Sequence, residues 1–126
     1  MITKNKIIKI IELAKKCNEC ALHHFKEFDN KLVSYKDDNS PLTNADIKVN
    51  DIAVAGIHKL FPRIKIISEE IYKSNEEFKN KHYFWLIDPI DGTKEFINKR
   101  PYFTVNFALI KHNIPIFGLI AQPTTG

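Results

Sequence analysis

The segment Asp88-Pro89-Ile90-Asp91-Gly92-Thr93 carries the densest chemistry in the chain, and it directly follows the apolar run from Tyr83 to Ile87. Two carboxylates three positions apart around a tight turn aim at one spot, where their oxygens gather a hard cation. Pro89 fixes one backbone angle, and Gly92 permits a left-handed or closely approached backbone. Thr93 is placed to cap a following helix, whose first N–H groups face an anion. A cation site and an anion cradle side by side are what metal-assisted hydrolysis of a phosphate ester needs. The competing reading is an ordinary turn, since Asp, Pro and Gly are favoured there on backbone grounds alone.

Two further acidic elements weigh against the ordinary turn. Glu69-Glu70 also follows an apolar run. Neighbouring strands that both end in acids collect three or four carboxylates in a small volume, and such a cluster repels itself unless cations hold it. Alone, Glu69-Glu70 reads as a solvated helix start. The stretch Ser40-Pro41-Leu42-Thr43-Asn44-Ala45-Asp46 reads either as a capped helix start or as a helix N-terminus that aims Asp46 back at the site.

These residues need elements to position them. Residues 2–28 have the pattern of an amphipathic helix with Ile7, Ile8, Ile11, Ala14, Leu22, Phe25 and Phe28 on its apolar stripe. Leu32 to Tyr35 is a short strand candidate and Lys36 to Pro41 a polar loop. Thr43 is the expected N-cap of a second helix running to about Leu60, with Ile47, Val54, Ile57 and Leu60 inward and Pro62 ending it. Ile64 to Ile67 and Tyr83 to Ile87 read as strands, and residues 73–82 as a mobile surface segment. Thr93 to Asn98 suggests a short helix. Phe103 to Ile110 and Ile116 to Ile120 are strands joined by a hairpin at His112-Asn113-Ile114-Pro115.

With 126 residues, 44% of them hydrophobic, the chain is expected to form one folded domain over residues 1–126. The net charge of +4 comes from scattered lysines, 17 of the 19 basic residues. No clustered stripe of arginine and aromatics marks a nucleic-acid groove, so a polymeric nucleic-acid partner is not expected. The basic balance suits an anionic small molecule. No apolar run is long enough to span a membrane, and lysines interrupt the N-terminal segment where a signal peptide is unbroken, so a cytoplasmic location is expected. Peripheral attachment to the inner membrane face is compatible with this. Cys17 and Cys20, with His23 and His24 beyond them, suggest zinc or redox chemistry. Four ligands fanned around one helix do not converge on a tetrahedron, however, so packed thiols are the preferred reading.

On these motifs the chain resembles the inositol-monophosphatase superfamily of magnesium-dependent, lithium-sensitive phosphatases. Asp88 to Thr93 and the upstream Glu69-Glu70 match the superfamily as a whole. Asn39 to Asp46, Lys94-Glu95-Phe96, Phe103 to Asn106 and Ala108-Leu109-Ile110 look most like its 3'(2'),5'-bisphosphate nucleotidases of the CysQ type. The resemblance implies the N-terminal half of a layered α/β fold of the sugar-phosphatase kind, with two long helices on a mostly antiparallel sheet. It implies that Glu69, Asp88, Asp91 and the carbonyl of Ile90 ligate Mg2+. Ile90, Asp91, Gly92 and Thr93 would contact the phosphate, with Lys36 a further cation beside it. Asp46 and Thr93 would orient and deprotonate the attacking water, which Glu69 holds through a metal. The implied reaction converts adenosine 3',5'-bisphosphate to AMP and phosphate, with an inositol phosphate as the closest competing substrate. Family members are about twice as long, and their second half supplies another aspartate in a Trp-Asp-x-Ala-Ala-like motif. The expected alternatives are therefore a remnant that binds metal and phosphate without catalysis, or a half that pairs with a separately encoded partner or with itself.

Overall fold

The computed structural model describes residues 2–28, 34–35, 41–68 and 82–125, with the backbone alone at 34, 35, 41 and 42. Helix α1 spans Lys4–Glu27 and α2 spans Asn44–Leu60. Between them the two-residue strands β1 (Ser34–Tyr35) and β2 (Pro41–Leu42) pair antiparallel. Then follow β3 (Lys65–Ser68), β4 (Tyr83–Asp91), the one-turn helix α3 (Thr93–Ile97), β5 (Thr104–Lys111) and β6 (Ile114–Ala121). The larger sheet has the order β3-β4-β5-β6. Its first pair is parallel and the other two are antiparallel, which is the mostly antiparallel sheet expected.

Both long helices lie on one face of this sheet. Trp85, Ile87, Val105, Phe107 and Leu109 form a single core with Ile10, Leu13, Ala14, Cys17 and Ala21 of α1 and Ala45, Val49, Ala53 and Ile57 of α2. Three inward assignments are corrected. Ile8 and Ile11 are 46% and 41% exposed, and Ile47 is 43% exposed. The apolar residues of α1 cover too wide an arc for one contact, and the sheet and α2 select its centre at Ile10, Leu13, Ala14 and Cys17. On α2 the buried row Ala45, Val49, Ala53 and Ile57 repeats every four residues, and small side chains within it let the helix approach its neighbours closely.

Gly56 marks that approach. A Cβ there would lie 2.3 Å from Leu13 Cδ1 and 2.6 Å from Cδ2. Gly56→Val is therefore expected to lower stability by about 1–3 kcal/mol, the usual cost of overpacking a seam, despite removing a helical glycine. A reduced urea midpoint with an unchanged m-value is the check. At the far end of the pair, Lys6 donates from Nζ to the Leu60 carbonyl (3.2 Å) and lies over the Phe61 ring.

The hairpin between β5 and β6 turns on His112 and Asn113, both with positive φ (51° and 64°). That is the two-residue turn whose twist suits flanking strands, so β6 starts at Ile114, earlier than the sequence pattern suggests. The opposite sheet face carries Leu86, Asp88, Asn106, Ala108, Gly118 and Ile120, and a groove of about 770 Å3 runs along it.

Candidate active site

Helix α2 begins with a capping box. Thr43 Oγ1 accepts from the Asp46 backbone N–H (3.3 Å), while Asp46 Oδ2 accepts from the Thr43 N–H (3.0 Å) and hydroxyl (2.5 Å). Asp46 is fully buried, yet its second oxygen is not spent on the cap. Oδ1 accepts from the Thr93 hydroxyl at 3.1 Å, across 47 residues of sequence. One carboxylate oxygen thus closes the cap and the other reaches the Asp88–Thr93 segment. Thr93 Oγ1 also lies 3.3 Å from the Ile90 carbonyl. It has one hydrogen to give, and the shorter contact runs to the carboxylate.

Thr93 does not cap α3, contrary to expectation. Gly92 occupies the cap position with φ of 95°, and no side chain caps the helix. The left-handed turn at Gly92 makes Thr93 the first helical residue and leaves its hydroxyl free to reach Asp46. A Cβ at Gly92 would lie 3.2 Å from the Tyr102 carbonyl, so both backbone angle and space require glycine. A helix of five residues does not hold itself. Buried Phe96 anchors it, with ring centroids 5.1 Å from Phe103 and 5.5 Å from both Phe25 and Phe28. Each such aromatic pair is worth about 0.5–1.5 kcal/mol beyond burial.

The segment before Gly92 is a bulged strand rather than a tight turn. β4 pairs with β5 from Tyr83 to Asp88, slips, and resumes with Asp91 opposite Thr104. Pro89, which has no N–H to offer the ladder, sits buried within the slip. The slip sets how the two carboxylates are presented. Asp88 is half-buried at the end of the groove and Asp91 is exposed beyond it. Asn106, opposite Asp88 on β5, donates from Nδ2 to Asp91 Oδ2 at 3.2 Å. On the helix side, Ser68 donates its hydroxyl to Asn50 Oδ1, a buried polar pair that ties α2 to the last residue of β3. Ser68 pairs with Ile87, so β3 and β4 run side by side to the positions before Glu69 and Asp88.

Of the residues singled out in sequence, Asp46, Asp88, Ile90, Asp91, Gly92 and Thr93 meet at one end of the sheet. Glu69, Lys36 and the segment 73–81 lie outside the described residues. Among the described residues no three His, Cys, Asp or Glu side chains gather closely enough to hold a metal; Asp88 and Asp91 are two carboxylates that would require a third. The donors they and the Ile90 carbonyl offer are all oxygen, which fits a hard cation such as Mg2+ and not zinc. Cys17 faces the core, and burial pushes its thiol up to about 12. Cys20 is half-buried and burial raises it too. Both behave as packed thiols. Asn50 and Asn106 were not singled out for the site. The available signal was an asparagine within a strand and another on a helix face of alanines and valine, places where asparagine is disfavoured.

The sequence pattern of the inositol monophosphatase family matches residues 4–126. The 3'(2'),5'-bisphosphate nucleotidase CysQ of Buchnera aphidicola is 42% identical over 124 residues, covering 97% of this chain and 46% of that protein. Among solved structures, CysQ from Bacteroides thetaiotaomicron is 32% identical with a TM-score of 0.77, covering 96% of this chain and 43% of that one. An inositol monophosphatase (IMPase) from Thermotoga maritima has a TM-score of 0.80 at 27% identity, covering 96% and 45%. The chain thus spans about half the length of the curated relatives it matches. No helix among the described residues is long and apolar enough to cross a membrane.

Proposed function

This chain belongs to the inositol monophosphatase family, and on that premise we propose that it provides the metal- and phosphate-binding half of a Mg2+-dependent 3'(2'),5'-bisphosphate nucleotidase. The observation that carries the reading is the hydrogen bond from Thr93 to Asp46, which joins the start of α2 to the Asp88–Thr93 segment. The identity to CysQ proteins favours a nucleoside 3',5'-bisphosphate, with release of AMP, over an inositol phosphate.

Glu69, Asp88, Asp91 and the Ile90 carbonyl would hold Mg2+, which when bound supplies Lewis-acid polarisation and positive charge for the phosphoryl oxygens. Thr93, by donating its proton to Asp46, keeps its oxygen lone pairs available to accept from a water. That water is thereby oriented and partly relieved of its proton. Asp46 is held by the α2 cap, so it positions Thr93 without having to move. The Gly92 and Thr93 N–H groups at the start of α3 face the phosphate, and Lys36 lends it a positive charge.

Phosphate release from adenosine 3',5'-bisphosphate is expected to require Mg2+ and to fall in lithium. A folded, magnesium-loaded sample that releases none would rule out catalysis by this chain alone. Faster release from an inositol phosphate would replace the nucleotide by the sugar phosphate as substrate.

A second reading, a half completed by another polypeptide, is favoured by a sheet face that no described element covers. Ile116 and Ile120 of β6 are 52% and 74% exposed on a strand at the edge of the described sheet, a surface suited to association. Turnover that appears only when the remaining half of a CysQ protein is added supports it.

A further inference from the structure

Asn106 occupies a strand position, between Val105 and Phe107, where its amide spans two environments. Nδ2 lies at the exposed end and donates to Asp91 Oδ2 at 3.2 Å. Oδ1 is shut off from solvent and has no hydrogen-bond partner among the described residues. The amide cannot be turned round to relieve this. Turning it would set Oδ1 against the Asp91 carboxylate, acceptor against acceptor, and lose the one bond it makes. Register puts Asn106 directly opposite Asp88, on the same sheet face and lining the same groove. One uncharged side chain thus lies opposite Asp88 in the ladder while its donor is committed to Asp91. A purely structural residue at this position would be apolar like its neighbours on the groove, Leu86 and Ala108, because an unsatisfied buried carbonyl lowers stability.

We propose that Asn106 is a positioning residue of the metal site: its Nδ2 bond fixes the orientation of Asp91 beside Asp88, so that the two carboxylates are presented to one cation. The inference rests on the metal-site reading above and deepens it. Groups that hold a ligand in this way orient it and tune affinity, and removing one typically weakens metal binding about 10–100-fold. Asn106 also leaves the site's charge unchanged, where an aspartate would add a further carboxylate to the repulsion among the ligands.

The test uses Mn2+ as a stand-in for Mg2+, its binding followed by electron paramagnetic resonance, with the melting temperature of the metal-free protein measured in parallel. Asn106→Leu is close in size and removes the unsatisfied carbonyl, so the metal-free melting temperature is expected to stay level or rise, while Mn2+ affinity falls about tenfold or more. Asn106→Ala is expected to lose affinity to a similar degree. Opposite movement of stability and affinity is a result that a merely structural asparagine would not produce. Mn2+ binding within twofold of the unaltered chain in Asn106→Leu overturns the inference. So does a fall in melting temperature with affinity intact, which would make Asn106 structural. An unaltered chain that binds no Mn2+ overturns the metal-site reading itself, and the inference with it.

Discussion

Asp88→Asn is expected to abolish measurable Mg2+ binding while leaving the fold in place. Asp88 sits where the pairing of β4 with β5 slips, half-buried at the end of the groove and next in sequence to Ile87, the partner of Ser68. A unit charge pair at 4 Å and an effective dielectric of 20 interacts by about 4 kcal/mol. A divalent cation doubles this before desolvation takes back part of it. A net loss of about 4 kcal/mol corresponds to roughly a thousandfold in dissociation constant. Calorimetric titration reads the loss directly. Thermal unfolding gives an independent measure, since a ligand at about 100 times its dissociation constant stabilises the folded state by about 2.7 kcal/mol. That magnesium-dependent rise should vanish in Asp88→Asn. Unchanged binding would remove Asp88 from the ligand set.

The second large effect is expected at Asp46, and two substitutions should separate its two oxygens. Asp46→Ala removes the reciprocal half of the α2 cap and strips Thr43 and Thr93 of their acceptor in a fully buried place. Loss of the cap at about 1 kcal/mol and buried donors left unsatisfied at about 1–3 kcal/mol give a destabilisation of about 2–4 kcal/mol. Denaturant unfolding measures it. Asp46→Asn keeps the size and one acceptor, so stability should fall less. Its amide nitrogen, however, must either face the Thr43 N–H, donor against donor, or donate to the Thr93 hydroxyl and so reverse that bond. With Thr93 no longer able to pass its proton to a carboxylate, turnover should fall about a hundredfold or more, the usual scale for losing general base assistance. If Asp46→Asn matched Asp46→Ala in stability and retained turnover, Asp46 would be a cap and nothing more.

Much of this site was legible because its signals are local. An apolar run ending in Asp88, a glycine at position 92 and a threonine three residues before Asp46 each state their meaning within a few neighbours. Strand ends, caps and left-handed turns depend on short-range sterics and hydrogen bonds. The same holds for the two long helices and the β5–β6 hairpin. Where the reading failed, the failure has a physical source. Helical periodicity reveals that an apolar arc exists, but which part of it is buried depends on what packs against it. Periodicity puts Ile8, Ile11 and Ile47 on the apolar arcs, whereas the close approach of the helices is set at Gly56 and Leu13.

The segment from Asp88 to Thr93 divides in the same way. The sequence by itself determined which groups it carries: two carboxylates, a glycine for an unusual backbone angle, a hydroxyl at the start of a helix. The tertiary structure alone decided that the segment is a bulged strand with its turn at Gly92. It also decided that Thr93 serves Asp46 rather than its own helix, and that Asn106 lies opposite Asp88 and donates to Asp91. Those outcomes join residues 15 to 47 positions apart. They depend on strand register and helix placement, which packing of the whole core selects and no local pattern encodes.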